Sequence, residues 1–250
     1  MTELTAGAVL LLALIFIVAG IVKGLAGFGM PLIAIPALTL LTGAPVTLAM
    51  GWAIIPLVLT NLAQAITARQ HAREALRVWP LLAGLFGALT ISVPLLARMD
   101  PGSLAVVVGV MILLVVASQM LRPWHIAPRW QPVVLGTAGV VSGTVGGLTS
   151  FFGFPAIQAL LATGVSSGGF IFTVSIMFFV GSGIIAIALT TFGLIAPSDL
   201  LLSAACLPPA LLGMKIGQTV RNRVSAKMFK RIVIIILLAT GSSMVINGLL

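Results

Sequence analysis

The chain has 250 residues, 60% of them hydrophobic and 7% charged, with a mean hydropathy of +1.26. This excludes a water-soluble domain and defines an all-α polytopic membrane protein with the lipid bilayer as its first partner. The formal net charge of +9 does not point to nucleic acid, because Lys and Arg fall in short linkers between apolar segments and read as topology determinants.

In chain order, long apolar segments fall at about 4 to 22, 46 to 67, 78 to 97, 103 to 121, 132 to 149, 168 to 192, 198 to 220 and 229 to 249. Each is roughly long enough for a helix to cross a ~30 Å hydrocarbon core. The first carries Glu3 and no basic residue ahead of its apolar run, so it is expected to be a span and not a cleaved signal. Two shorter apolar pieces, 31 to 42 and 154 to 164, each follow a glycine-rich stretch. Cys206, the single cysteine, lies in an apolar segment and is expected to pack. No disulfide framework, metal site or cofactor is expected.

These glycine-rich stretches are copies of one pattern. AGIVKGLAGFGMPLIAIPALTLLT begins at Ala19 and AGVVSGTVGGLTSFFGFPAIQALL at Ala138; at this shift of 119 positions Gly20/Gly139, Val22/Val141, Gly24/Gly143, Gly27/Gly146 and Pro36/Pro155 are identical without a gap. The repeat divides the chain into an N-terminal half, 1 to 121, a cytoplasmic linker, 122 to 131, and a C-terminal half, 132 to 250.

Three basic clusters are expected to be cytoplasmic: Arg69, Arg73 and Arg77; Arg122 and Arg129; and Arg221, Arg223, Lys227, Lys230 and Arg231. Between the second and third lies an odd number of long segments, so one more crossing is needed. Residues 150 to 164 supply it most simply, and by the repeat residues 23 to 42 do the same. Five crossings per half give an inverted-topology repeat with both termini outside.

Glycine-rich breaks within a bilayer expose backbone groups that protein or a wet cavity must satisfy. A helix over 31 to 42 is only ~18 Å long, so its N-terminus and that of the helix near Pro155 are expected to converge near the midplane. Paired helix N-termini favour a small anionic substrate. Within the breaks, Gly24, Gly27, Gly29, Gly143, Gly146 and Gly147 are candidate substrate-site residues, with Gly27, Gly29, Gly146 and Gly147 placed in the exposed turns. Close helix packing is the competing reading of Gly20/Gly24 and Gly139/Gly143. Lys23, whose place Ser142 takes in the second copy, is either an anion contact or a lysine snorkelling to the headgroups. Lys215, near the third basic cluster, is expected to snorkel. Thr149, Ser150 and Gln158 complete the expected site as neutral donors; Asn61, Gln64 and Gln119 are further candidates, each equally suited to a helix–helix hydrogen bond.

At residues 20 to 36 and 139 to 155 the chain resembles the TauE/SafE family, the sulfite exporter family, in which each half opens with an apolar span, a glycine-rich stretch and a proline. The resemblance implies export of sulfite or of small organosulfur and carboxylate anions. Phe28, Leu148, Phe151 and Phe152, standing where such proteins carry denser glycine, leave room for a larger or less polar anion. A secondary transporter working by alternating access is the leading expectation, a passive channel its nearest rival, and a scaffold would leave the duplicated breaks unexplained. No Walker A pattern supports ATP-driven transport, and His71, Glu74, Asp100, His125 and Asp199 all fall in expected loops, so an intramembrane enzyme is not expected. A homodimer is compatible with the sequence.

Overall fold

A computed structural model describes residues 6–119, 125–221, 223 and 225–249; Arg122, in the second basic cluster, lies outside them. Every regular element among the described residues is helical. They are α1 (Ala6–Ala26), α2 (Met30–Thr42), α3 (Val46–Thr67), α4 (Ala72–Arg77), α5 (Trp79–Leu96), α6 (Pro101–Ser118), α7 (Gln131–Thr149), α8 (Ala156–Ala162), α9 (Ser167–Thr191), α10 (Pro197–Ala205), α11 (Leu207–Val220) and α12 (Ala226–Leu249). Counting α10 with α11 as one stretch and the turn Pro128–Trp130 with α7, eight are long and apolar enough to cross a membrane.

Three boundaries depart from the sequence reading. α1 runs on past Lys23 to Ala26, so the lysine stands on a helix and not in the break. Residues 198 to 220 are divided at Cys206, just before Pro208 and Pro209, whose rings supply no N–H to continue the preceding helix. Glu74 lies in α4 and not in a loop; its carboxylate accepts from the Ser166 hydroxyl (2.7 Å) and backbone N–H (3.2 Å), capping the start of α9. The Ser166 hydroxyl and then His71 hold that carboxyl below its ordinary value.

Glycines set the tightest packing. A Cβ on Gly20 or Gly24 of α1 would collide with the carbonyl of Ala210 or Met214 in α11, and one on Gly213 or Gly217 of α11 with that of Ile17 or Ile21. α7 meets α5 in the same way, Gly139 against Leu81 and Gly143 against Leu85. Both pairs run parallel. α6 and α12 run antiparallel, with Gly102 beside Gly248, Gly109 beside Gly241, and the Lys230 ammonium donating to the Gln119 carbonyl. These pairs join the two halves of the sequence.

The contacts order the chain between two ends of the bundle. The C-terminal ends of α1, α3 and α11 and the N-terminal end of α9 surround one cavity. At the far end Trp52 donates its indole N–H to Asp199 (3.1 Å). Because α1 and α3 both finish at the cavity end, the segment between them, α2 included, returns to the far end. Likewise α7 finishes beside Ser92, late in α5, and residues 150–166 run back to start α9.

Glycine-to-valine changes at the helix pairs are expected to overpack them by ~1–3 kcal/mol. Gly143→Val and Gly217→Val therefore lower the thermal midpoint of the detergent-solubilised protein. Gly87→Ala, where an added Cβ meets nothing, leaves it unchanged or raises it; an equal fall in all three would remove the packing argument.

Candidate functional site

The close approach of α1 to α11 uses the Gly20/Gly24 face, and Lys23 projects from the flank beside it toward α3. There its ammonium donates to Asn61 Oδ1 at 2.6 Å, while the Asn61 amide N–H₂ donates to the Leu57 carbonyl (2.7 Å). The amide is thereby oriented with its oxygen toward the cation. Lys23 is only 3% exposed. One of its three donors is taken by Asn61, and the others have no acceptor among the described residues.

Lys23 lines a cavity of about 490 Å³ at the end of the bundle. Gly24, Gly27, Gln64, Thr67, Gln218 and Arg221 share the wall, with Phe170 and other apolar side chains between them. None of the described carboxylates lines it. A buried ammonium held only by a neutral amide is costly in a low dielectric. Arg221 places a second cation on the same wall.

The first break forms one edge. After Ala26 the chain turns through Gly27 (φ 83°) and Gly29 (φ 97°), left-handed conformations that an L side chain adopts only under strain. Gly27 N–H donates to the Lys23 carbonyl (2.7 Å), and its own carbonyl accepts from Gln64 Nε2 (3.0 Å). The freed backbone is thus paired from α3. Gly29 borders a separate, mostly apolar groove. Lys215 is exposed and outside the cavity.

The second break does not join this cavity, which corrects the expected pairing. Gly146 and Gly147 lie inside α7 and not in an exposed turn: a Cβ at Gly146 would strike the Phe152 ring, and one at Gly147 the Ser92 hydroxyl. Gly143 packs on α5. Ser142 Oγ accepts from Ala156 N–H (2.9 Å), using up a donor at the start of α8, and α8 has only seven residues. Thr149 Oγ1 donates to the Val145 carbonyl (2.9 Å) and borders a void of about 10 Å³. Ser150 is fully buried at φ 57°, its hydroxyl without a hydrogen-bond partner. Gln158 Nε2 donates to Ser118 Oγ (2.9 Å). The expected paired-N-terminus cradle therefore gives way to a one-sided cavity: Ser142 and Thr149 bond within the second copy, Gln158 bonds Ser118 of α6, and none of these residues or Ser150 lines the cavity.

Sequence reading ranked Asn61 and Gln64 below the break residues and missed Thr67, Ser167, Gln218 and Arg221. A signal was present: Asn61, Gln64 and Thr67 recur every third residue at the end of an apolar segment and so share one helix flank. Among the described residues no group of three or more His, Cys, Asp or Glu is placed to hold a metal ion.

An all-helical, multi-pass integral membrane protein with a cationic cavity is the class that these features define. The chain belongs to the sulfite exporter TauE/SafE family, which matches residues 12–244. Searches of curated proteins and of solved structures gave no match.

If the Lys23–Asn61 bond organises the cavity wall, the two side chains are energetically coupled. Asn61→Leu, which strands a buried ammonium, is expected to cost ~1–3 kcal/mol. In the Lys23→Met background the same change costs much less. Unfolding midpoints of the two single variants and the double variant measure this coupling; additive costs would show that the bond is incidental.

Proposed function

We propose that this protein is a secondary transporter that exports a small anion, such as sulfite, an organosulfonate or a small carboxylate, from the cytoplasm. The observation that carries this reading is the buried Lys23 ammonium facing a cavity that no described carboxylate lines. Lys23 supplies a charge-assisted donor, Asn61 holds it in place, and Arg221 with Gln218 and Gln64 adds donors around the anion. Membership of the sulfite exporter TauE/SafE family supports transport as the activity and an oxyanion as the cargo. No chemical step is assigned to the cavity: the reading is of a carrier and not of an enzyme.

The topology proposed with it is an inverted repeat of halves 1 to 121 and 132 to 250, in a bacterial cytoplasmic membrane. With the eight long helices, α2 and residues 150–166 are read as two further traverses, which makes five in each half. Helices related by the shift exchange partners: α1 packs on α11 and α7 on α5, while α3 packs on α9 and α6 on α12. The basic linkers after α3 and α11, the residues before α7 and the start of α12 gather at the cavity end, so the positive-inside rule makes that end cytoplasmic. The cavity then faces the cytoplasm. Alternating access follows if the two halves rock to open the other side.

Two measurements test this. Reporter fusions after Leu250 should report the outside; a cytoplasmic C-terminus removes the five-plus-five topology.

In proteoliposomes, sulfite or a short sulfonate should exchange saturably. Lys23→Met should weaken binding about ten- to a hundredfold, the loss of a charge-assisted hydrogen bond. Lys215→Met should change it little. Wild-type affinity in Lys23→Met would rule out direct contact with the ammonium, and unsaturable current would make the protein a channel.

A further inference from the structure

A second concave surface lies behind the first break and is not part of the anion cavity. It is a groove of about 170 Å³ between α1, α2, α6 and α12, walled by Phe28, Leu32, Val115, Val233, Ile234 and Leu237. Its polar lining residues are Gln119 and Lys230, joined at one end where the Lys230 ammonium donates to the Gln119 carbonyl at 3.1 Å. That end is the basic end of the bundle, and Arg231 follows Lys230 in sequence.

The groove occupies a seam that the other half of the chain keeps shut. α7 packs on α6, but their counterparts at the repeat shift, α1 and α12, show no comparable packing among the described residues. The opening is therefore lateral, between helices long enough to span a bilayer.

What fills it follows from shape and charge together. The walls are apolar and suit a hydrocarbon chain. The mouth is cationic, and none of the described carboxylates can serve it: Glu74 is taken up by Ser166 and His71, while Asp100 and Asp199 sit at the far end, beside Gly248 across Gly102 and on Trp52 respectively. Lys230 has donors to spare beyond its single carbonyl acceptor.

We propose that this groove binds an anionic phospholipid of the cytoplasmic leaflet, one acyl chain lying against Phe28 and Val233 and the phosphate meeting Lys230. A basic recess between membrane helices on the cytoplasmic side is suited to such headgroups. Because Phe28 and Gly29 form part of its wall, and Ala26 borders both this groove and the anion cavity, the acyl chain supports the first break from the side away from the cavity.

The test uses the full chain in detergent, titrated with phosphatidylglycerol or phosphatidylcholine and read by native mass spectrometry together with thermal shift. Phosphatidylglycerol should bind at low stoichiometry and raise the midpoint more than phosphatidylcholine does. Lys230→Gln should weaken phosphatidylglycerol about fivefold and leave phosphatidylcholine unchanged; Lys215→Gln, an exposed cation outside the groove, should change neither. Val233→Trp, which fills the groove, should reduce binding of both lipids. Equal binding of the two lipids by the wild type would overturn the proposal, as would retained selectivity in Lys230→Gln or unaltered binding in Val233→Trp. A full thermal shift from inorganic phosphate alone would also overturn it, because the site would then be for a free anion. These readouts involve no transport, so they stand or fall independently of the substrate assigned to the other cavity.

Discussion

Contact between helix backbones at glycine governs where every other group can lie. α1 with α11 and α5 with α7 approach until a single added methyl on Gly24 or Gly143 would meet a carbonyl of the partner. Inside a bilayer there is no general hydrophobic force to hold helices together, so dispersion at such close approach has to supply it. Once the Gly20/Gly24 face of α1 is committed to α11, the flank carrying Lys23 is turned to α3. The lysine then cannot reach the headgroups by stretching along its own helix and is held 3% exposed beside Asn61. The cationic wall of the cavity is thus a consequence of helix packing one residue away.

Much of this was legible in the sequence. Long apolar runs located the helices because spanning length is a strict requirement, while the shift that relates the two glycine patterns is a feature of the sequence. The site was legible only in part. Gly24, Gly27 and Lys23 belong to the cavity, but Gly146 and Gly147 read as turn residues and prove to be packing residues, since the composition of a turn and of a tight helix contact are alike. Arg221 was read as a topology marker alone. Nothing in its local sequence distinguishes a cation that faces headgroups from one at the rim of a cavity; that depends on how α11 lies against α1.

The electrostatics of the cavity follow from what is missing from its wall as much as from what is present. Lys23 and Arg221 both repel cations, and neither is neutralised by a carboxylate among the lining residues. An ion pair would settle the lysine permanently and leave no driving force for an incoming anion. The neutral carbonyl of Asn61 instead fixes its position without cancelling its charge. In the transport role proposed above, such a weakly compensated ammonium would favour binding while still letting the anion leave.

The same position in the two copies serves two different purposes. Ser142, at the place of Lys23, turns its hydroxyl to the Ala156 N–H and closes the second break on itself, with the Phe152 ring seated between Gly146 and Gly181 and edge-on to Phe178 at 5.5 Å. The first break is closed by a residue from outside it, Gln64 of α3, and its lysine is left free for the cavity. The two copies of the sequence pattern therefore carry unequal chemistry: the first turns a buried lysine to a cavity, and the second closes on an aromatic seal.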